Sequence, residues 1–239
     1  MLDFACMAKI DSLSVFLPAF NEEKNIKNTI VAVKNTLLKV VSTWEIIIVN
    51  DGSEDKTKEI VESLVKGDSR FRLINHVVNR GYGASLKSGF YNAKYSWIAF
   101  IDADGQFDFS EIMNFLKKQE DTGADLVIGY YKKRKVSFFK IVTSKAWEFL
   151  VYLLFGLKIK DIDCGFKLIS RKVVEKIPKL ESERGAFISS EFLIKAKKAG
   201  FKVVEISVTH FPATRVGTGR KLNVIVKSFV DLIKLWGKL

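Results

Sequence analysis

Asp102 and Asp104 stand one residue apart at the end of the apolar run Trp97-Ile98-Ala99-Phe100-Ile101. On extended backbone, residues i and i+2 face the same side, so the two carboxylates can point together at one cation just past a strand. Gly105 then lets the chain turn sharply, and Gln106 adds a neutral oxygen. A hard divalent ion such as Mg²⁺ takes a couple of carboxylates and keeps positions open for water and substrate phosphates. The plainer alternative is a turn whose aspartates cap the next helix.

Units of strand, polar turn and helix must position these groups. Leu13–Leu17 reads as a first strand stopped by Pro18, and Asn21-Glu22-Glu23 opens a helix in which Ile26, Ile30, Val33, Leu37 and Val41 recur with helical spacing. Glu45–Val49 is a second strand, followed by Asn50-Asp51-Gly52-Ser53 and a helix to about Lys66. A third strand near Phe71–His76 leads through Asn79-Arg80-Gly81-Tyr82-Gly83 into a helix with Leu86 and Phe90. The run before Asp102 is the fourth strand, and the helix after it carries Ile112, Phe115 and Leu116 on one face. Such alternation predicts an α/β fold: a mostly parallel central sheet with helices on both faces.

Right-handed crossovers return successive strands in the same direction, so their following turns gather at the sheet's carboxyl edge, where open α/β sheets bind ligands. Asn21, Glu22, Asp51, Arg80, Gly81, Asp102, Asp104 and Gln106 all fall there, around a crevice suited to a nucleotide. Structural roles compete: Asp51 is also a natural turn former or helix N-cap, and Arg80–Gly83 reads equally as a simple loop. The glycine spacing in that loop matches neither a P-loop nor a dinucleotide fingerprint, which counts against ATPase and dehydrogenase chemistry.

A chain of 239 residues, 48% of them hydrophobic, can bury a substantial core. Its formal charge of +12 implies attraction to something anionic: nucleic acid, a nucleotide substrate or the negative leaflet of a membrane. Cys6 and Cys164 have no metal-ligand spacing and make no disulfide framework, as expected in a reducing interior. Met1–Ile10 lacks the apolar core of a secretory signal, and no apolar run approaches the roughly 20 residues that span a bilayer. The expectation is a cytoplasmic chain, peripheral on the inner face of the membrane, with no transmembrane helix.

Leu17-Pro18-Ala19-Phe20-Asn21-Glu22-Glu23, Val49-Asn50-Asp51-Gly52-Ser53, Asn79-Arg80-Gly81-Tyr82-Gly83 and Asp102-Ala103-Asp104-Gly105-Gln106, in this order, resemble the family 2 glycosyltransferases of the GT-A fold. The resemblance runs from about residue 12 to about residue 222. Within that family the chain looks most like the polyprenyl-phosphate hexose synthases, the dolichol-phosphate mannose and glucose synthases. The resemblance implies that Pro18, Ala19, Asn21, Glu22, Arg80, Gly81 and Ala103 line the nucleotide pocket and that Asp51 contacts the base or ribose. It also implies that Asp102, Asp104 and Gln106 hold Mg²⁺ or Mn²⁺ against the donor diphosphate, with Asp104 essential to catalysis. A bound cation acts as a Lewis acid on the departing nucleoside diphosphate. No covalent intermediate is required, so in-line displacement with inversion at the anomeric carbon is expected.

The second half carries the acceptor question. Asp125–Gly129 reads as a fifth strand, followed by Tyr130, Tyr131 and the basic run Lys132-Lys133-Arg134-Lys135. In the lipid-phosphate group an arginine often follows the glycine and a small residue; Tyr131 stands there in this chain, so Arg134 or a neighbouring lysine would serve instead. The stretch from Phe138 to Leu157 is apolar nearly all round and flanked by lysines, and reads as an interfacial helix, a dimer contact or a core helix. Asp161-Ile162-Asp163-Cys164-Gly165-Phe166-Lys167 resembles the family's segment beside the acceptor pocket, in a version closer to the dolichol-phosphate glucose type than the mannose type. Asp163 is the candidate general base should the acceptor be a hydroxyl; with an already anionic lipid phosphate it would hold basic residues in place. Glu191 either orients the same region or is an exposed helix glutamate, and His210 reads as structural.

Past a strand at Val203–Ile206, the resemblance assigns Arg215 and Lys221, in a loop with glycines at 217 and 219, to the donor diphosphate or the acceptor phosphate. The closing stretch places Leu222, Ile225, Phe229, Leu232, Ile233 and Trp236 on one stripe against Lys227, Asp231, Lys234 and Lys238, an amphipathic helix with a basic polar face suited to a membrane surface or to packing on the domain. The division expected is a GT-A domain over 1–222, with a nucleotide half at about 12–129 and an acceptor half at about 130–222, then a C-terminal helix at 223–239. The function expected is metal-dependent, inverting transfer of a hexose from GDP- or UDP-sugar to a polyprenyl phosphate, with a homodimer possible and no nucleic acid bound. The alternatives are a polysaccharide, glycan or other hydroxyl acceptor and, less favoured, a non-enzymatic basic nucleic-acid binder. A sugar nucleotidyltransferase would need a glycine-rich basic loop after the first strand, which Pro18-Ala19-Phe20-Asn21 is not.

Overall fold

The computed structural model describes residues 10–131, 138–183, 185, 187–212 and 222–239. Its strands are β1 (Ser12–Ala19), β2 (Thr43–Asp51), β3 (Phe71–His76), β4 (Trp97–Ile101), β5 (Leu126–Tyr131), β6 (Phe166–Ser170) and β7 (Val203–Val208). The helices are α1 (Ile26–Val40), α2 (Thr57–Val65), α3 (Tyr82–Asn92), α4 (Ile112–Thr122), α5 (Phe138–Phe155), α6 (Arg171–Lys176), α7 (Phe187–Lys198) and α8 (Leu222–Lys238).

The strands form one sheet in the order β3-β2-β1-β4-β6-β5-β7. β3, β2, β1 and β4 run parallel, as do β5 and β7, while β6 lies antiparallel between β4 and β5. The expected α/β fold, mostly parallel with helices on both faces, is the one observed. Helices α1, α2 and α4 cover one face through Ile30, Leu37, Val61 and Phe115. Helices α3, α5, α6, α7 and α8 cover the other, where Phe16, Phe90, Phe100 and Phe192 stack or meet edge to face at centroid separations of 5.0–5.8 Å.

Three elements differ from the sequence reading. β1 does not stop at Pro18 but pairs with β2 through Ala19. Its pairing with β4 ends at Phe16↔Phe100, so on that side no partner asks for the proline's missing N–H. Helix α1 does not open at Asn21; it begins at Ile26, because Asn21 takes a left-handed φ of 56° that no helix continues. The Asp161–Lys167 segment, read only as a motif, feeds the strand β6. All five of its residues are buried, so no alternation of polar and apolar residues betrays it.

β6 sets the site. Because it is antiparallel to β4, with Ile101 opposite Phe166, its amino end lies at the edge where the parallel strands finish. The Asp161–Gly165 loop therefore arrives beside Asp102.

Candidate active site

Asp102 leaves β4 with its N–H donating to the Gly165 carbonyl at 3.2 Å and its Oδ1 accepting from the Tyr82 hydroxyl at 2.9 Å. Burial, and next the negative charge of Asp104, push its carboxyl up to about 7. Burial also raises Asp104, whose Oδ1 accepts from the Gln106 N–H at 3.0 Å. The Tyr82 hydroxyl is held well above its ordinary range by burial and by the Asp102 carboxylate. Two crowded carboxylates beside a neutral phenol are short of positive charge, and their oxygens suit a hard divalent cation. The Gln106 Nε2 donates to the Phe211 carbonyl at 3.0 Å, which leaves Oε1 as that side chain's acceptor. Among the described residues no three His, Cys, Asp or Glu side chains converge on a metal position. Asp102, Asp104 and the Gln106 amide are the side chains here that could hold such an ion, which would take water and substrate phosphate to complete an octahedron.

The turn after β1 is tied to the turn after β2. Asn21 N–H donates to Ser53 Oγ at 2.9 Å, Glu54 N–H to Asn21 Oδ1 at 2.8 Å, and Glu22 N–H to Thr57 Oγ1 at 2.7 Å. These bonds hold Asn21 in its left-handed conformation, a strain that persists only where the surroundings impose it. Pro18 and Ala19 end β1 alongside, and the carbonyl of the buried Ala103 accepts from Thr29 Oγ1 at 3.3 Å.

Asp51 is buried, and its carboxylate is occupied by protein. Oδ1 accepts from His76 Nδ1 at 2.7 Å and Arg80 N–H at 3.0 Å, and Oδ2 from Gly81 N–H at 2.8 Å. The Arg80 guanidinium turns to Glu183 at 3.1 Å, which Lys87 also meets at 2.9 Å. Those two cations, Lys87 first, hold the Glu183 carboxyl below its usual range.

On the acceptor side Lys167 is almost wholly buried, its ammonium donating to the carbonyls of Ile162, at 3.2 Å, and Cys164. Desolvation lowers its pKa against the opposing pull of Cys164, Asp161, Asp163 and Asp102. Asp163 is half-buried, and its field reaches both Tyr82 and Lys167. Glu191 is not an exposed helix glutamate: it is 1% exposed and accepts from Glu181 N–H, Ser182 N–H and Lys195 Nζ at 2.6–2.9 Å. His210 packs against the rings of Tyr131 and Phe107.

The structure thus gathers Pro18, Ala19, Asn21, Glu22, Asp51, Arg80, Gly81, Asp102, Ala103, Asp104 and Gln106 on one edge, with Asp163 arriving from β6. Arg134, Arg215 and Lys221 lie outside the described residues. Tyr82, His76, Gly165 and Lys167 were not singled out from the sequence; the Gly-Tyr-Gly spacing around Tyr82 marks a helix entry and says nothing of its hydroxyl. A cavity of about 530 Å³ between Ser182, Glu183, Phe187 and α8 is lined by none of these residues, though Glu183 on its wall meets Arg80.

The profile of glycosyl transferase family 2 matches residues 14–178. The chain belongs to that family. This glycosyltransferase is 32% identical over 235 residues to a dolichyl-phosphate beta-glucosyltransferase of Trichomonas vaginalis, an alignment covering 93% of this chain and 72% of the relative. It is 30% identical over 215 residues to the dolichyl-phosphate beta-glucosyltransferase of Mus musculus, covering 82% and 66% of the two chains. In fold it is similar to glucosyl-3-phosphoglycerate synthase of Mycobacterium tuberculosis, solved with Mn²⁺, UDP and glucosyl-3-phosphoglycerate. That match has a TM-score of 0.74 and 19% identity, over 95% of this chain and 80% of the other. The GT-A fold and sugar-transfer chemistry expected of this glycosyltransferase are those its relatives share.

Proposed function

We propose that this glycosyltransferase moves a hexose from a nucleotide-sugar, UDP- or GDP-linked, to a polyprenyl phosphate at a membrane surface, with inversion. The observation that carries the proposal is the paired Asp102 and Asp104 at the sheet edge shared with the Asn21 and Arg80–Gly81 turns, in a chain whose relatives are dolichyl-phosphate glucosyltransferases. Asp102, Asp104 and the Gln106 amide would hold Mg²⁺ or Mn²⁺. The cation supplies Lewis-acid stabilisation of the leaving diphosphate.

The chain's own residues do the rest. The Pro18–Glu22 turn and Ala103 wall the nucleotide pocket, and Asp51 holds Arg80 and Gly81 in position beside it. Tyr82 and Gly165 orient Asp102. A phosphate acceptor is anionic at neutral pH and needs no base, so Asp163 and buried Lys167 shape the acceptor loop, while Arg134, Arg215 and Lys221 supply positive charge for phosphates. The nucleotide half spans about 12–129, the acceptor half about 130–222, and 223–239 the C-terminal helix.

Peripheral seating on the inner, cytoplasmic face of a membrane completes the reading. Among the described residues no helix is long and apolar enough to cross a bilayer. α5 and α8 meet at Trp147 and Phe229, with ring centroids 5.4 Å apart. α8 packs Leu232 and Leu235 inward yet exposes Val226, Val230, Ile233 and Trp236, and α5 exposes Phe149 and Leu153. Lys227, Lys234 and Lys238 border that apolar arc, matching it to anionic lipid rather than to a second, equally basic copy of the chain.

The test is to incubate purified protein, Mn²⁺ and short-chain polyprenyl phosphate with radiolabelled UDP- and GDP-sugars and to count label entering the organic phase. Label from one or two donors is expected, abolished by EDTA and by Asp104→Ala. Label that enters only hydroxyl acceptors, and is lost in Asp163→Asn, would establish the hydroxyl reading instead.

A further inference from the structure

Three elements close on one another at the corner where β2, β3 and α3 meet, and His76 stands at the centre of the contact. It sits opposite Asp51 in the parallel pairing of β2 and β3 and is 7% exposed. Its Nδ1 lies 2.7 Å from Asp51 Oδ1 and its Nε2 2.9 Å from the hydroxyl of Ser88, two turns into α3. A carboxylate only accepts, so Nδ1 donates, and Nε2 is left to meet the serine.

Asp51 faces the Arg80–Gly81 turn with the rest of its capacity. Successive amides of Arg80 and Gly81 donate to its two oxygens at 3.0 and 2.8 Å. Gly81, with φ 102° and ψ 164°, takes a conformation that favours glycine and starts α3. A Cβ on Gly52 would lie 2.5 Å from Val78 C and Asn79 N, so the backbones of the two turns are already in contact. The turn after β3 therefore has its position set by the direction in which the Asp51 carboxylate points. Asp51 has few ways to be held from behind: the imidazole supplies the N–H that fixes its rotation, and Ser88 fixes the imidazole.

We infer that His76 is a positioning residue for donor binding: through Asp51 it holds the Asn79–Gly81 turn in the shape that receives the nucleotide. The inference rests on the reading of that turn as part of the nucleotide pocket. His76 touches no substrate, so its loss acts on donor affinity and not on the transfer step.

Two substitutions separate the halves of the contact. Asparagine can present an N–H where Nδ1 stands but ends short of Ser88; glutamine reaches toward Ser88 but places no donor at Nδ1. Titration calorimetry with Mn²⁺ and whichever of UDP and GDP the parent binds should give His76→Gln a Kd raised about tenfold or more, while His76→Asn stays within about threefold of the parent, the range expected for losing or keeping a hydrogen bond to a charged group. kcat at saturating donor should be unchanged in both. Equal affinity in the two variants, or losses that simply follow their melting temperatures, would overturn the inference.

Amide hydrogen exchange on the nucleotide-free protein gives an independent reading. Exchange at Arg80 and Gly81 should rise in His76→Gln and not in His76→Asn. If that pattern holds while no form of the protein binds UDP or GDP, the positioning role stands and it is the nucleotide reading that fails; identical exchange in both variants removes the positioning role itself.

Discussion

Gly165 can have no side chain because Asp102 occupies the place where one would begin: a Cβ there would lie 2.0 Å from Asp102 Oδ2. The same glycine's carbonyl accepts the Asp102 N–H at 3.2 Å. The amino end of β6 and the carboxyl end of β4 thus form one seat for the carboxylate on which the proposed chemistry depends.

Gly165→Ala should displace Asp102 or the loop beside it. Overpacking of this kind costs about 1–3 kcal/mol of stability, which urea denaturation measures. Transfer activity should fall by about a hundredfold or more, since misplacing a reacting group by about 1 Å suffices for that. A Gly165→Ala protein with full activity would show that the seat is not needed.

Metal and pH should act through the same carboxylate. The Asp102 carboxyl stands at about 7 in the fold, against about 3.9 in an unfolded chain. A carboxyl raised on folding favours the native state at low pH, and that contribution is lost as pH climbs through the folded value. The metal-free protein should therefore melt at progressively lower temperature between about pH 4 and 8, and the Asp102→Asn variant less steeply. Because cation binding requires the ionised form, Mn²⁺ should stabilise the parent more at pH 8 than at pH 6. A metal-free melting profile that Asp102→Asn leaves unaltered would contradict this account.

Tyr82→Phe removes the hydroxyl that donates to Asp102 Oδ1. That bond lowers the Asp102 pKa against burial, so its loss should move the carboxyl further up. The pH midpoint for Mn²⁺ binding, followed by calorimetry, should rise, and activity at neutral pH should drop by roughly three- to tenfold, the scale of one hydrogen bond. An unchanged midpoint would mean that the phenol contributes nothing to the site.

Glu191 and Lys195 form a buried pair at 2.6 Å, with side chains 2% and 3% exposed. Lys195→Met leaves the carboxylate without its cation and should cost about 3–5 kcal/mol in urea denaturation. Glu191 also binds the amides of Glu181 and Ser182, and the Glu183 carbonyl accepts from Ala84 N–H at 3.0 Å, so the start of α3 should show faster amide exchange in Glu191→Gln.

Membrane seating has a direct measure. Ile233→Asp and Trp236→Ser should each weaken co-sedimentation with vesicles containing phosphatidylglycerol by about tenfold or more, because burying such a side chain contributes about 1.5–3 kcal/mol. Activity on detergent-dispersed polyprenyl phosphate should persist. Equal binding of the parent and both variants would place the lipid contact elsewhere.

Local pattern carried much of this protein. Apolar runs, polar turns and helical stripes mark β1 to β4 and their helices, and handed crossovers oblige the four following turns to share an edge. The spacing of Asp102 and Asp104 carries the expectation of a shared cation on extended backbone, whereas in the structure β4 ends at Ile101 and Ala103 and Asp104 lie in the turn that follows. What lay beyond that reading involved partners far apart in the chain. The wholly buried β6 shows no period, and its antiparallel place beside β4 is decided by which strands can share a core. Only that pairing brings Gly165 to Asp102. The resemblance assigns Asp51 to the base or ribose and its turn-forming neighbours offer a structural role; the structure adds that its carboxylate accepts from His76, Arg80 and Gly81, 25 to 30 residues further on. Residue type and spacing thus determined which groups stand at the edge; the packing of distant strands decided which way they point, because a carboxylate's direction is set by the donors that surround it.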